Sequence, residues 1–84
     1  MEDDRESVAG FYIGDLVEIV GSVHDLESID APAESRGLLG TVTNLDPPNN
    51  YIQVEFKEEV REYTTWWYFP AYLQLIGGWK QFGK

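Results

Sequence analysis

Three residues in one short segment carry the chemical groups of a hydrolytic site. Ser22, His24 and Asp25 could supply a nucleophile, a base and an orienting carboxylate, and His24 is the single histidine of the chain. Catalytic triads, however, are assembled in space from separate elements, so near neighbours in one loop do not form one. The sequence also has no cysteine that could act as a nucleophile. We therefore expect this domain not to be an enzyme.

The same segment is rich in carboxylates that could attract a cation. Asp25, Glu27 and Asp30 lie within residues 25–30. A calcium-binding loop needs an aspartate followed two residues later by another aspartate or an asparagine, and also a glycine, and this segment has neither feature. A glycine-rich phosphate-binding loop is also lacking. We expect no bound metal and no cofactor.

Aromatic residues give the strongest chemical signal. Five of the twelve aromatic residues fall within residues 66–72, among them the adjacent pair Trp66 and Trp67. Tryptophan and tyrosine contribute much of the binding energy at protein interfaces. Beside a carboxylate, aromatic rings can also hold a methylated cation by cation–π attraction. Both uses remain open, because no spacing in the sequence singles out an aromatic cage.

Short strand-like runs must position these aromatic residues. Five runs are predicted as strands, at residues 16–20, 38–44, 51–56, 63–68 and 73–76. A long acidic connection, residues 22–37, follows the first run, and a charged hairpin loop is expected at residues 57–62. No helical periodicity is sustained. The layout predicts an all-β fold, a small five-stranded SH3-like barrel with a long first loop, in which Gly40 forms a kink or bulge.

The period of a strand predicts which residues are buried. Alternate side chains along a strand point to the same face. If the hairpin between the third and fourth predicted strands is centred near residues 59–61, Val54 lies opposite Trp66 and Ile52 lies opposite Tyr68. These four residues are predicted to be core, and a slip of one residue would invert the assignment.

The opposite face carries the predicted partner-binding residues, which are Tyr51, Gln53, Glu55, Trp67 and Phe69. Trp67 should lie opposite Gln53, and Phe69 should lie near Tyr51. The long loop or Trp79 could instead cover Trp67. The preference of binding sites for tryptophan and tyrosine favours a partner surface.

Composition limits the class of partner. Fifteen acidic and six basic residues give a net charge of −9 in 84 residues. Nucleic acid and anionic membranes would be repelled, whereas a protein or peptide with a basic surface would be attracted. No apolar run approaches the length of a membrane span, and we recognise no secretory signal. Together with the lack of cysteine, this predicts an intracellular location, cytoplasmic or nuclear.

The chain is long enough for one domain, which we expect to be monomeric in isolation. Residues 1–10 are predicted to be an acidic, disordered leader. Residues 11–77 should form the folded unit, and residues 78–84 a tail.

The strand segments resemble the CPH domain, a module of cullin-type, parkin-like and HERC-type ubiquitin ligases. The resemblance rests on Gly14–Val17, Gly37–Val42, Ile52–Phe56, Thr65–Tyr68 and Leu73–Gly77. It implies a non-catalytic module within an E3 ubiquitin ligase, with a HECT-type parent as the leading expectation. Family members are associated with binding the tetramerisation domain of a tumour-suppressor transcription factor. The chain departs from the family in its long acidic loop and at Phe69 and Pro70.

Two other functions fit the same residues. Barrels of this shape include Tudor-like readers of methylated lysine or arginine peptides, which use aromatic cages. A purely structural spacer would bind neither methylated peptides nor a protein partner. Binding experiments therefore discriminate the three classes.

Overall fold

The computed structural model describes residues 6–77. Its strands are β1 (Leu16–Ile19), β2 (Leu39–Asp46), β3 (Tyr51–Val60), β4 (Tyr63–Tyr68) and β5 (Leu73–Gly77). One short helix, α1, covers Val23–Ser28. Single 3₁₀ turns occupy Ala33–Ser35, Pro47–Asn49 and Pro70–Tyr72. Within the described residues the regular secondary structure is thus mainly β.

The five strands form one antiparallel sheet in the order β4-β3-β2-β1-β5. Strands β2 to β4 follow one another as a meander. A 3₁₀ turn then leads into β5, which crosses back to pair with β1. This is the small all-β, SH3-like arrangement that the strand pattern predicts.

The pairing of β3 with β4 confirms the predicted register. Ile52 lies opposite Tyr68, Val54 opposite Trp66, and Gln53 opposite Trp67. Ile52, Val54 and Tyr68 are fully buried, as predicted. Strand β1, which is separated from β3 by β2, contributes further buried residues to the same core.

Trp66 differs from the prediction, because it is only partly buried and packs against the edge of the core. Its strand β4 lies at the end of the described sheet, so one flank of the indole has no neighbouring strand. The indole Nε1 donates a hydrogen bond to the carbonyl of Val60 at 3.2 Å. Its ring meets Tyr63 edge to face, with centroids 5.7 Å apart.

The long first loop is folded more fully than its sequence predicts. Ser22 caps α1 by accepting a hydrogen bond from the backbone N–H of Asp25 at 3.0 Å. Leu26 of the helix is fully buried in the core. The sequence shows no sustained helical period here, because a helix of six residues is too short to produce one.

Two irregularities of the sheet lie elsewhere than predicted. Gly40 pairs regularly with Val17, and the bulge in β2 falls at Thr43, between Val42 and Asn44. The hairpin loop is also shorter than residues 57–62, because β3 continues to Val60. Its register against β4 shifts between Glu55 and Val60, so the charged residues between them form an irregular end of the strand.

The folded unit includes residues that the sequence assigns to the leader. Val8 is buried, and its backbone exchanges hydrogen bonds of 3.1 and 2.9 Å with Phe11. Ordered packing thus begins before Phe11. The predicted tail at residues 78–84 and the first five residues of the predicted leader lie outside the described residues.

Candidate functional site

Two strand ends bring the predicted binding residues together. Tyr51 opens β3, immediately after Asn50, which turns the chain with a φ of 59°. Phe69 directly follows β4 and precedes Pro70, which begins a 3₁₀ turn. Because β3 and β4 are antiparallel and Ile52 pairs with Tyr68, Tyr51 and Phe69 meet at the same end of the hairpin.

The aromatic rings at this end are in mutual contact. The rings of Tyr51 and Phe69 stack at a centroid distance of 4.8 Å and an angle of 9°. Trp67 tilts against Tyr51 with centroids 6.3 Å apart. Each of these three residues is partly buried. The structure therefore places the predicted aromatic residues in a single cluster on the outer face of the sheet.

Tyr72 extends this cluster, although the sequence did not single it out as a binding residue. Its ring lies 6.0 Å from that of Phe69, at an angle of 59°. Residues three apart in a 3₁₀ turn lie on the same side, and this spacing relates Phe69 to Tyr72. That spacing was the signal that could have identified it. We call Tyr51, Trp67, Phe69 and Tyr72 the aromatic surface.

Polar residues continue the outer face along β3. Gln53 is partly buried, and its side-chain oxygen accepts a hydrogen bond from the hydroxyl of Thr43 at 3.3 Å. Glu55, two residues further along, is exposed. Along β3 the outer face thus carries first the stacked aromatic rings, then the amide of Gln53 and then the carboxylate of Glu55.

The long loop is anchored on the core side of β4. The hydroxyl of Tyr68 donates to Ser35 in the loop. Arg36 donates from Nε to the carbonyl of Gly21 at 3.0 Å. The Tyr68–Ser35 bond attaches the loop to the core through the residue next to Trp67, and the Arg36 bond ties the end of the loop to Gly21 at its start. Trp79, the other candidate cover for that indole, lies outside the described residues.

The residues with catalytic or metal-binding chemistry take other positions. Ser22 serves as the cap of α1, and His24 is exposed on that helix. Among residues 6–77, no group of three or more histidine, cysteine or acidic side chains is arranged to hold a metal ion. No helix in that range has the length and apolar character needed to cross a bilayer.

The fold and the surface together define a small all-β, SH3-like domain with a partly exposed aromatic cluster. No family model matches the chain, and neither a curated protein nor a solved structure matches it significantly. Function must therefore be inferred from the residues themselves.

Proposed function

We propose that this domain is a non-catalytic interaction module, which binds a protein or peptide with a basic surface. The observation that carries the proposal is the stack of Tyr51 on Phe69, with Trp67 beside it, on the face away from the core. Clustered aromatic residues that remain partly exposed are typical of binding surfaces. Binding would bury the accessible parts of these rings at little cost in side-chain entropy.

The charge of the chain supports a basic partner. The net charge is −9, and the exposed carboxylate of Glu55 continues the outer face beyond Gln53. Such a charge accelerates association with a basic surface, and salt screens the attraction. We expect the association rate to fall as the salt concentration rises. An association rate that is insensitive to salt would contradict electrostatic steering.

Ring geometry favours this proposal over a Tudor-like reader of methylated peptides. A cage needs space between its rings for a methylated ammonium group. Tyr51 and Phe69 are stacked at 4.8 Å, so these two rings fill the space between them. The stacked rings offer a continuous apolar surface to a side chain or peptide backbone.

The resemblance to the CPH domain extends the proposal to a parent protein and a partner. On that basis the domain would act within an E3 ubiquitin ligase, in the cytoplasm or nucleus, with a HECT-type parent as the first candidate. The tetramerisation domain of the tumour-suppressor transcription factor would then be the first partner to test. Both extensions depend on the resemblance, whereas the binding surface does not.

The test compares three immobilised forms of the full chain as baits for proteins in a reducing cell extract. The forms are the wild type, Trp67→Ala and Tyr63→Ala. Tyr63 is the matched control, because it is an aromatic residue of the same strand, 63% exposed, outside the aromatic surface. We expect a direct partner to bind Trp67→Ala at least about thirtyfold more weakly than the wild type, a loss of about 2 kcal/mol.

The control sets the standard for interpretation. Tyr63→Ala should retain the partner with nearly the affinity of the wild type. The proposal is wrong if every captured protein binds Trp67→Ala as well as it binds the wild type. Calorimetry with the purified tetramerisation domain tests the family-based partner separately, and an array of methylated peptides tests the reader.

A further inference from the structure

A concave surface lies at the opposite end of β3 from the aromatic surface. The pairing of β2 with β3 runs from Asp46 opposite Tyr51 to Thr41 opposite Glu55. Before Thr41, Gly40 and Leu39 of β2 are paired with β1. Beyond Glu55, β3 enters its irregular end. Because β2 and β3 are no longer paired beyond this point, a cleft of about 530 Å³ lies between them, a volume within the range of ligand pockets.

Apolar side chains line much of this cleft. Leu38 and Leu39 are 39% and 53% exposed, so they present adjacent apolar side chains to the solvent. Leu16 lies beside them, and Phe56 and Val60 contribute buried side chains from β3. Together they offer apolar area that water covers unless a ligand displaces it.

Acidic side chains surround the apolar part. The charged residues lining the cleft are Glu55, Glu58 and Glu59, with Lys57 as the single basic residue. All four are exposed. The local charge is therefore negative, in keeping with the whole chain. A complementary ligand presents a large apolar side chain between basic residues. The apolar side chain fills the cleft, and the basic residues form ion pairs with the glutamates around it.

We propose that this cleft is a second binding site, which accepts a large apolar side chain from a basic peptide segment of a partner protein. The proposal does not rest on the function of the aromatic surface, because none of its four residues lines the cleft; Glu55 is the one predicted partner-binding residue that does. A partner that engaged both sites would run along the length of β3.

The chain's own C-terminal residues are the competing occupant. Residues 78–84 contain Trp79 and Phe82 with two lysines, so they have the composition that the cleft favours. Gly77, which precedes them, pairs with the cleft residue Leu16. The test must therefore distinguish a partner segment from this internal one.

The test uses the full chain labelled with ¹⁵N and a defined peptide probe. The probe is an acetylated, amidated hexapeptide with two central leucines and basic residues on both sides. We expect saturable shifts at the amides of Leu39, Phe56 and Val60, and weaker binding at higher salt. A peptide with alanines in place of the leucines keeps the charge and should bind about tenfold more weakly, since an apolar side chain is no longer buried.

A pair of matched variants tests the apolar part of the site. Leu39→Asp removes the most exposed leucine of the cleft, while its added negative charge would strengthen purely electrostatic binding. Leu75→Asp makes the same change at a leucine of β5 that is 44% exposed and lies outside the cleft lining. We expect about tenfold weaker binding for Leu39→Asp and unchanged binding for Leu75→Asp.

Three outcomes would overturn the proposal. The first is that the probe shifts only amide signals of residues outside the cleft. The second is that the probe binds Leu39→Asp as tightly as it binds the wild type. The third is tighter binding when Trp79 and Phe82 are both replaced by serine, since the chain's own segment would then be the occupant. Trp67→Ala should leave probe binding unchanged, so failure here is distinguishable from failure of the aromatic surface.

Discussion

The hydroxyl of Tyr68 donates a hydrogen bond to Oγ of Ser35 at 2.8 Å, and both residues are fully buried. Ser35 in turn donates to the carbonyl of Pro32 at 2.7 Å. This buried chain of bonds ties the end of β4 to the long first loop. The residue before Tyr68 is Trp67, which faces outwards. One strand thus anchors the loop with one side chain and presents the candidate binding surface with the next.

The burial of the Tyr68 hydroxyl predicts a loss of stability at high pH. Burial raises the pKa of Tyr68 to about 12, and the hydrogen bond with Ser35 offsets part of that rise. Because the folded pKa is above the unfolded value of 10.0, the stability that Tyr68 contributes is fully present below pH 10 and is lost as the pH rises towards 12. A full shift of this size corresponds to roughly 2–3 kcal/mol.

Tyr68→Phe is the control for this effect. It removes the titrating group and should cost about 1 kcal/mol at neutral pH, the value of one hydrogen bond. Urea unfolding of both forms between pH 8 and pH 12 measures the difference. If the two curves fall in parallel, other residues cause the alkaline loss.

The adjacent tryptophans should differ in their effects on stability. Trp66→Ala removes packing at the edge of the core and the hydrogen bond to Val60, so we expect a loss of about 2–3 kcal/mol. This is below the cost of a fully buried aromatic residue, because the indole is only partly buried. Trp67→Ala should cost about 1 kcal/mol, since it loses mainly its contact with Tyr51.

Thermal and urea unfolding of both tryptophan variants provide the measurement. Ile52→Ala, at a fully buried position, serves as the reference for a core change and should cost roughly 2–5 kcal/mol. If Trp67→Ala destabilises the domain as much as Ile52→Ala does, Trp67 is part of the core and the aromatic surface does not exist.

Gly40 should not tolerate even one added methyl group. A Cβ at this position would overlap Cγ1 of Val54 and lie 2.9 Å from the carbonyl oxygen of Glu55. Since Val54 is fully buried, it cannot move away freely. We expect Gly40→Ala to cost about 1–3 kcal/mol, whereas Thr41→Ala at the exposed neighbour should change stability by less than about 0.5 kcal/mol. If Gly40→Ala and Thr41→Ala lower the free energy of unfolding in urea equally, β2 and β3 can move apart to make room for the added methyl group.

The turn between β3 and β4 contains removable backbone strain. Arg61 and Glu62 have φ values of 53° and 75°, which non-glycine residues rarely adopt. Such two-residue turns favour glycine. We expect Glu62→Gly to stabilise the domain by about 1 kcal/mol in thermal unfolding, and Glu62→Ala, which keeps the strain, to have little effect. A similar gain from both changes would assign the effect to the lost carboxylate.

The layout of five strand-like runs was sufficient to predict the fold, and alternation within two of them was sufficient to predict the register of the candidate site. The apolar residues Ile52 and Val54 fixed one face of β3, and the pairing with β4 then placed Trp67 on the outer face. Turn residues marked most of the remaining boundaries. These signals are local in sequence, so a strand period of two reveals them.

Features that depend on distant contacts were not predictable. Lys57 and its acidic neighbours look like a loop because they are charged, yet β3 continues through them. The partial exposure of Trp66 follows from the position of β4 at the end of the described sheet, which no local pattern encodes. The cleft was missed for the same reason, since it forms where β2 and β3 separate.

The return of β5 to β1 brings the start of the first strand beside the end of the last strand. Leu16, the first residue of β1, lies opposite Gly77, the last residue of β5. The chain therefore enters and leaves the sheet at neighbouring positions. A domain with this property can be inserted into a surface loop of a larger protein without forcing the flanking segments apart.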